Sequence, residues 1–307
     1  MHKFILRQHR DFGTLINDYF DFLKFSLKPF FNIFIRYNGI AIIALLGASY
    51  LLVTGFMGMV RFQSTLYGNT SNEMEHLMYI GLGGFLFLII FLVVAAMNYS
   101  LASSYVISFE KSTTPTIDSK DVWKRISAKI GQIILFIVLF VLLYIAFFIV
   151  GMLVSFIPFF GTLAYYLGMF IFLTWMGMSF MAMFYENKKV TEAFGEGWRL
   201  LQKNFWKCIG VNVVLWIIIA VILMALYTVP GILIGVYAYH SVESNIAILD
   251  SSFAKILFTI TLCFFFVVSL FSHALQQFAN GILYFTMHEE TYNTNTRAKI
   301  EQIGAHE

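Results

Sequence analysis

Long runs almost free of charge alternate along the chain with shorter stretches in which apolar residues recur every three or four positions. Runs able to cross about 30 Å of hydrocarbon lie at 38–60, 78–108, 131–157, 160–184, 208–239 and 255–287. None holds Asp, Glu, Lys or Arg except Lys255 at the edge of the last. A helix pairs its backbone donors and acceptors internally, which hydrocarbon demands. The pattern therefore predicts an all-α integral membrane protein with six transmembrane helices.

Ahead of the first, third and fifth spans the periodicity becomes two-faced. Over 11–36, Phe12, Leu15, Ile16, Tyr19, Phe20, Leu23, Leu27, Phe30 and Phe31 alternate with Asn17, Asp18, Asp21, Lys24 and Lys28, which predicts an amphipathic helix lying in the membrane interface. Pro29 is expected to kink or end its last turn. At 118–131, Asp118 is a candidate N-cap, and Val122, Trp123, Ile126 and Ile130 form the apolar side. At 190–207, Thr191 is a candidate cap, with Phe194, Trp198, Leu201 and Phe205 on one face. Three cytoplasmic interfacial amphipathic helices, each leading a pair of spans, are expected, anchored by Phe20, Leu23, Trp123, Trp198 and Trp206. Residues 288–307 form a cytoplasmic tail, and 1–307 reads as a single membrane domain.

Composition agrees with this. Hydrophobic residues make up 59% of the chain and charged residues 12%, at a mean hydropathy of +0.78, against about 25% charged in a soluble domain. Cys208 and Cys263 each lie in or beside an apolar span and read as inert thiols. The first apolar run is too long for a signal-peptide core and lacks a small-residue cleavage site, so the first span is expected to remain in the mature protein.

Charge orients the spans. Eighteen of the 20 Lys and Arg fall on the side of the N-terminus, leaving only Arg61 and Lys255 opposite. Basic loops stay cytoplasmic, which predicts both termini inside, in a bacterial inner (cytoplasmic) membrane. The basic inner face is suited to anionic headgroups, so membrane lipids are the expected partners, with other membrane proteins in an assembly role and no nucleic acid.

The opening RDFGTLINDYFDFLKFSLKPFF and the internal VTEAFGEGWRLLQKNFWK resemble the recurring cytoplasmic segments of polytopic bacterial proteins of the Bacteroidetes type. They are similar to the membrane domain attached to some glycerophosphodiester phosphodiesterases. The resemblance covers most of the chain and implies fold and location only, because the phosphodiesterase chemistry of those proteins belongs to a separate soluble domain.

An ionisable group inside a span is costly and therefore informative; His273, in the sixth span, is the one candidate. Around it Ser269, Gln276, Asn280 and Tyr284 repeat at helical spacing, with Gln277 beside them. This strip reads either as interhelical hydrogen bonding, with Asn98 and Asn212 as partners, or as the lining of a cavity. The other histidines make no HxxxH or HExxH pattern, and no phosphate loop or GxSxG elbow is present. No catalytic residue, cofactor or metal site is expected. Gly47, Gly55, Gly58, Gly81, Gly83, Gly84, Gly231 and Gly235 read as close helix contacts, or, beside Pro230, as a broken helix at a transport site.

The leading expectation is a non-enzymatic polytopic inner-membrane protein serving as a scaffold, assembly or lipid-environment factor. The alternative is a transporter or channel-like protein for a neutral or amphipathic solute. An intramembrane enzyme built on His273 ranks third, because no acid, base or nucleophile partner is evident.

Overall fold

The computed structural model describes residues 4–64, 70–112, 117–244, 248–295 and 297, without side chains at 61–64 and 70–73. Its elements are α1 (Phe12–Ser64), α2 (Thr70–Lys111), α3 (Ser119–Ser127), α4 (Ile130–Ser155), α5 (Phe160–Tyr185), α6 (Val190–Lys203), α7 (Phe205–Glu243) and α8 (Ser252–Tyr292), with a single 3₁₀ turn at Ile248–Asp250. No strand occurs among the described residues. Six of these helices, α1, α2, α4, α5, α7 and α8, are long and apolar enough to cross a membrane. The chain is an all-helical, multi-pass membrane protein. Its surface agrees: α4 buries only Ile133, Phe136 and Gly151 and exposes Ile134, Leu142, Phe148 and Leu153, a display that water does not tolerate.

The amphipathic stretches behave differently from one another. The first is no separate element but the opening of the 53-residue α1, and Pro29 sits inside that helix without ending it. The missing proline N–H and its ring clash cost about 3 kcal/mol. The fully buried Phe30 holds the turn, with ring centroids 4.7 Å from Phe278 and 5.5 Å from Tyr105. The buried face here is Leu15, Tyr19, Phe22, Ser26, Phe30 and Ile33, while Phe12, Leu27 and Phe31 are exposed. Phe22, outside the expected apolar set, is wholly buried against Phe109, Phe278 and Tyr105.

The second stretch forms α3, capped by Asp118, whose carboxylate accepts from the Lys120 N–H at 2.9 Å. The third forms α6, but Thr191 lies within it and the cap is Lys189. The Glu192 carboxylate accepts from the Lys189 backbone N–H at 3.3 Å, closing the first turn two residues earlier than the threonine pattern implies.

Two compact units divide the chain. The first comprises residues 1–33, 99–218 and 274–307; the second comprises 34–98 and 219–273. In the first unit α5 packs on α4 and α6, and Gly197 of α6 lies so close to α5 that a Cβ there would meet the Ser179 backbone N at 2.7 Å. In the second unit Leu45, Val94, Cys263 and Leu270 form a core flanked by Phe87, Phe91 and Phe266. Among the glycines of α1 and α2, Gly55, Gly58 and Gly83 are the ones where a Cβ would press closely on the facing helix of the pair. Among the described residues, a Cβ at Gly47, Gly81, Gly231 or Gly235 would meet nothing within 4 Å, so the GxxxG after Pro230 makes no helix contact there. Pro230 does not break α7.

Candidate functional site

The polar strip of α8 resolves into separate hydrogen-bonded sets. In the second unit, the Tyr227 hydroxyl of α7 and Ser269 Oγ are 2.8 Å apart. Asn98 is fully buried; it donates to the Leu270 carbonyl at 3.2 Å and accepts from Asn38 Nδ2 at 2.9 Å. Its side-chain partner is thus an asparagine of α1, not a member of the strip. Asn38 also donates to the Phe34 carbonyl, which ties three helices together at one buried point. His273 is half-buried, its ring edge-on to Phe91 at 5.8 Å.

In the first unit, Gln276 Nε2 donates to Asn212 Oδ1 at 2.8 Å, joining α8 to α7. Gln277, fully buried, donates to Ser103 Oγ of α2 at 2.8 Å and accepts from Asn280 Nδ2 at 3.1 Å. Two acceptors, Gln276 Oε1 and Asn280 Oδ1, are buried without a hydrogen-bond partner among the described residues. Asn280 seats against Gly177 of α5, where any side chain would collide with it.

Tyr284 donates a short hydrogen bond to the Glu186 carboxylate and opens a network absent from the sequence reading. Lys188 Nζ lies 2.7 Å from both Glu186 Oε2 and Glu196 Oε2. Tyr292 donates to Glu196 Oε1 at 2.7 Å, and His288 Nε2 is 3.9 Å from Glu186 Oε1. Burial alone would raise the Glu196 carboxyl, but hydrogen bonds from Lys188 and Tyr292 outweigh it and hold the group below its ordinary value. The signal was present, since His288 and Tyr292 continue the strip at spacings of four. Both residues lie beyond the apolar run, which stops at 287 where polar residues begin.

Arg10 is a further buried ion. Its guanidinium donates to Asp18 at 2.6 Å, to the Leu6 and Ile5 carbonyls and to Thr286 Oγ1, so it clamps the N-terminal segment to α1 and α8. Among the expected anchors, Trp206 is 80% exposed and Trp123 and Trp198 each 38%, whereas Phe20 and Leu23 are half-buried. Trp198 packs on Trp175 of α5 with centroids 5.5 Å apart, giving it a protein neighbour as well as an outer face.

The second unit also holds a cavity of about 490 Å³. Leu52, Phe56, Ile80, Ile234 and Phe258 line it, and Thr261 is the only hydroxyl among its twelve lining residues. Such a lining offers dispersion contacts to hydrocarbon and almost nothing to a polar solute. Both cysteines are free and buried, and among the described residues no three of His, Cys, Asp and Glu come together as a metal would require. No family model matches the chain, and comparison with curated proteins and with solved structures finds no match either.

Proposed function

We propose that the chain is a non-enzymatic protein of a bacterial inner membrane, with both termini cytoplasmic, acting as a lipid-environment or assembly factor that holds lipid hydrocarbon against its helices. The observation that carries this reading is the pairing of the α8 strip. Gln276 with Asn212, Gln277 with Ser103, and Ser269 with Tyr227 spend their polar groups on neighbouring helices, while the 490 Å³ cavity of the second unit is apolar. The resemblance to phosphodiesterase membrane domains supports location and fold and brings no chemistry with it. The orientation rests on the 18 basic residues assigned to one side.

The test is purification from native membranes in mild detergent, with the retained lipids identified by mass spectrometry. Lipid retention that falls when the cavity is filled by Ile234→Phe supports the reading. Loss of all lipid on purification, with no effect of filling the cavity, refutes it.

One observation favours transport of a small neutral solute: the buried acceptors of Gln276 and Asn280 that lack donors, which a hydroxylic solute would supply. Liposomes carrying the protein would then show solute uptake that is lost in Asn280→Leu. Under the lipid-factor reading they show none.

A further inference from the structure

Four cations converge where three spans end. Lys111 is the last residue of α2, Lys129 directly precedes α4, Arg125 lies on α3 between them, and Tyr185 closes α5. The Arg7 guanidinium stands 4.7 Å from the centroid of the Tyr185 ring and the Lys111 ammonium 5.6 Å from the same centroid. Lys129 Nζ donates to the carbonyls of Met183 at 2.7 Å and Phe184 at 3.2 Å, so it neutralises the C-terminal end of α5.

Counter-charge is scarce. Arg7 pairs with Glu110 at 3.0 Å, and the nearby Glu186 is engaged by Lys188. Lys111, Arg125 and Lys129 have no carboxylate partner among the described residues, and Asp121, one turn before Arg125, makes no ion pair with it. Arg125 Nε is buried and without a hydrogen-bond partner among the described residues. Like charges held together around an unpaired buried N–H are unfavourable unless an anion joins them. Burial first, and then the charges of Lys111 and Arg125, push the Lys129 amine down to about 8.

We propose that Lys111, Arg125 and Lys129, with Arg7 at their edge, form a binding site for the phosphate of an anionic lipid headgroup. A guanidinium and ammonium groups supply the charge-assisted donors that phosphate oxygens take. The ends of α2 and α5 and the start of α4 lie where spans leave hydrocarbon, the depth of the headgroups, and basic pockets between transmembrane helices hold such headgroups. The proposal rests on the lipid-factor reading only for the source of the phosphate; the charge cluster itself does not depend on it.

Native mass spectrometry of the full-length protein in detergent tests this with three probes: phosphatidic acid, diacylglycerol of the same acyl chains, and inorganic phosphate. Phosphatidic acid is expected to bind about tenfold or more tightly than diacylglycerol, the effect of one charge-assisted contact. Arg125→Gln and Lys111→Gln, made singly, should each remove most of that preference and leave diacylglycerol binding unchanged, whereas Lys24→Gln should leave both. Equal binding of the two lipids, or a preference that survives both substitutions, overturns the site. Phosphate that competes fully while the acyl chains add nothing overturns the lipid source. The cavity-filling variant Ile234→Phe separates the two proposals, because it should reduce the lipid retained at the cavity and leave intact the preference for phosphatidic acid that Arg125 and Lys111 confer.

Discussion

A Cβ placed on Gly177 would lie 2.0 Å from Nδ2 of Asn280, so α5 and α8 fit together only because one residue has no side chain. Gly177→Ala is therefore expected to displace Asn280, break its bond to Gln277 and destabilise the protein by about 1–3 kcal/mol. Adding Asn280→Ala should return part of the loss, since it removes the colliding group. Thermal unfolding in detergent of both single variants and the double variant measures this. Strict additivity would mean that the two residues do not interlock.

Gln276 and Asn212 form the one direct side-chain bond expected between the strip and a neighbouring asparagine, at 2.8 Å. A double-mutant cycle with Gln276→Leu and Asn212→Leu should give a coupling of about 0.6 kcal/mol, with roughly 1.7 as an upper bound. A coupling of zero would show that the bond does not form in the membrane protein.

The acid limb of stability should depend on Glu196. Its folded-state value lies below the unfolded one, so its contribution is present above the unfolded value of 4.5 and disappears as pH falls through the folded one. As pH falls below 4.5 towards and through the folded value, the melting temperature of wild type should drop more than that of Glu196→Gln, which has lower stability at neutral pH but no carboxylate to protonate. Parallel curves would contradict the assignment.

Lys129 acts on the other limb. Its folded value of about 8 lies below the unfolded 10.5, so the protonated amine costs stability fully below pH 8, and that cost is relieved as pH rises from 8 towards 10.5. The difference in melting temperature between wild type and Lys129→Gln should shift in favour of wild type over this window, and a pH-independent difference would refute it.

The proposed orientation places residues 110–130 on the cytoplasmic face. In a background lacking Cys208 and Cys263, Ser119→Cys should resist membrane-impermeant maleimide added to intact cells and react after the cells are opened. Labelling in intact cells would reverse the topology.

The sequence by itself determined the class and the number of spans. Uncharged runs at 38–60 or 131–157 have no stable home but a helix in hydrocarbon, whatever surrounds them. It also determined local features that involve only neighbouring residues, such as the Asp118 cap of α3. Tertiary structure decided which polar groups meet. Asn98 pairs with Asn38, sixty residues away, and Tyr284 with Glu186, ninety-eight away, distances over which periodicity carries no information. It also decided that α1 runs through Pro29, because the contacts that offset the lost hydrogen bond come from Tyr105 and Phe278 on other helices. In the same way Phe22, one position off the expected apolar face, is buried because aromatic rings from α2 and α8 stand there to receive it. A helix face is a property of one segment, but burial is a property of what packs against it.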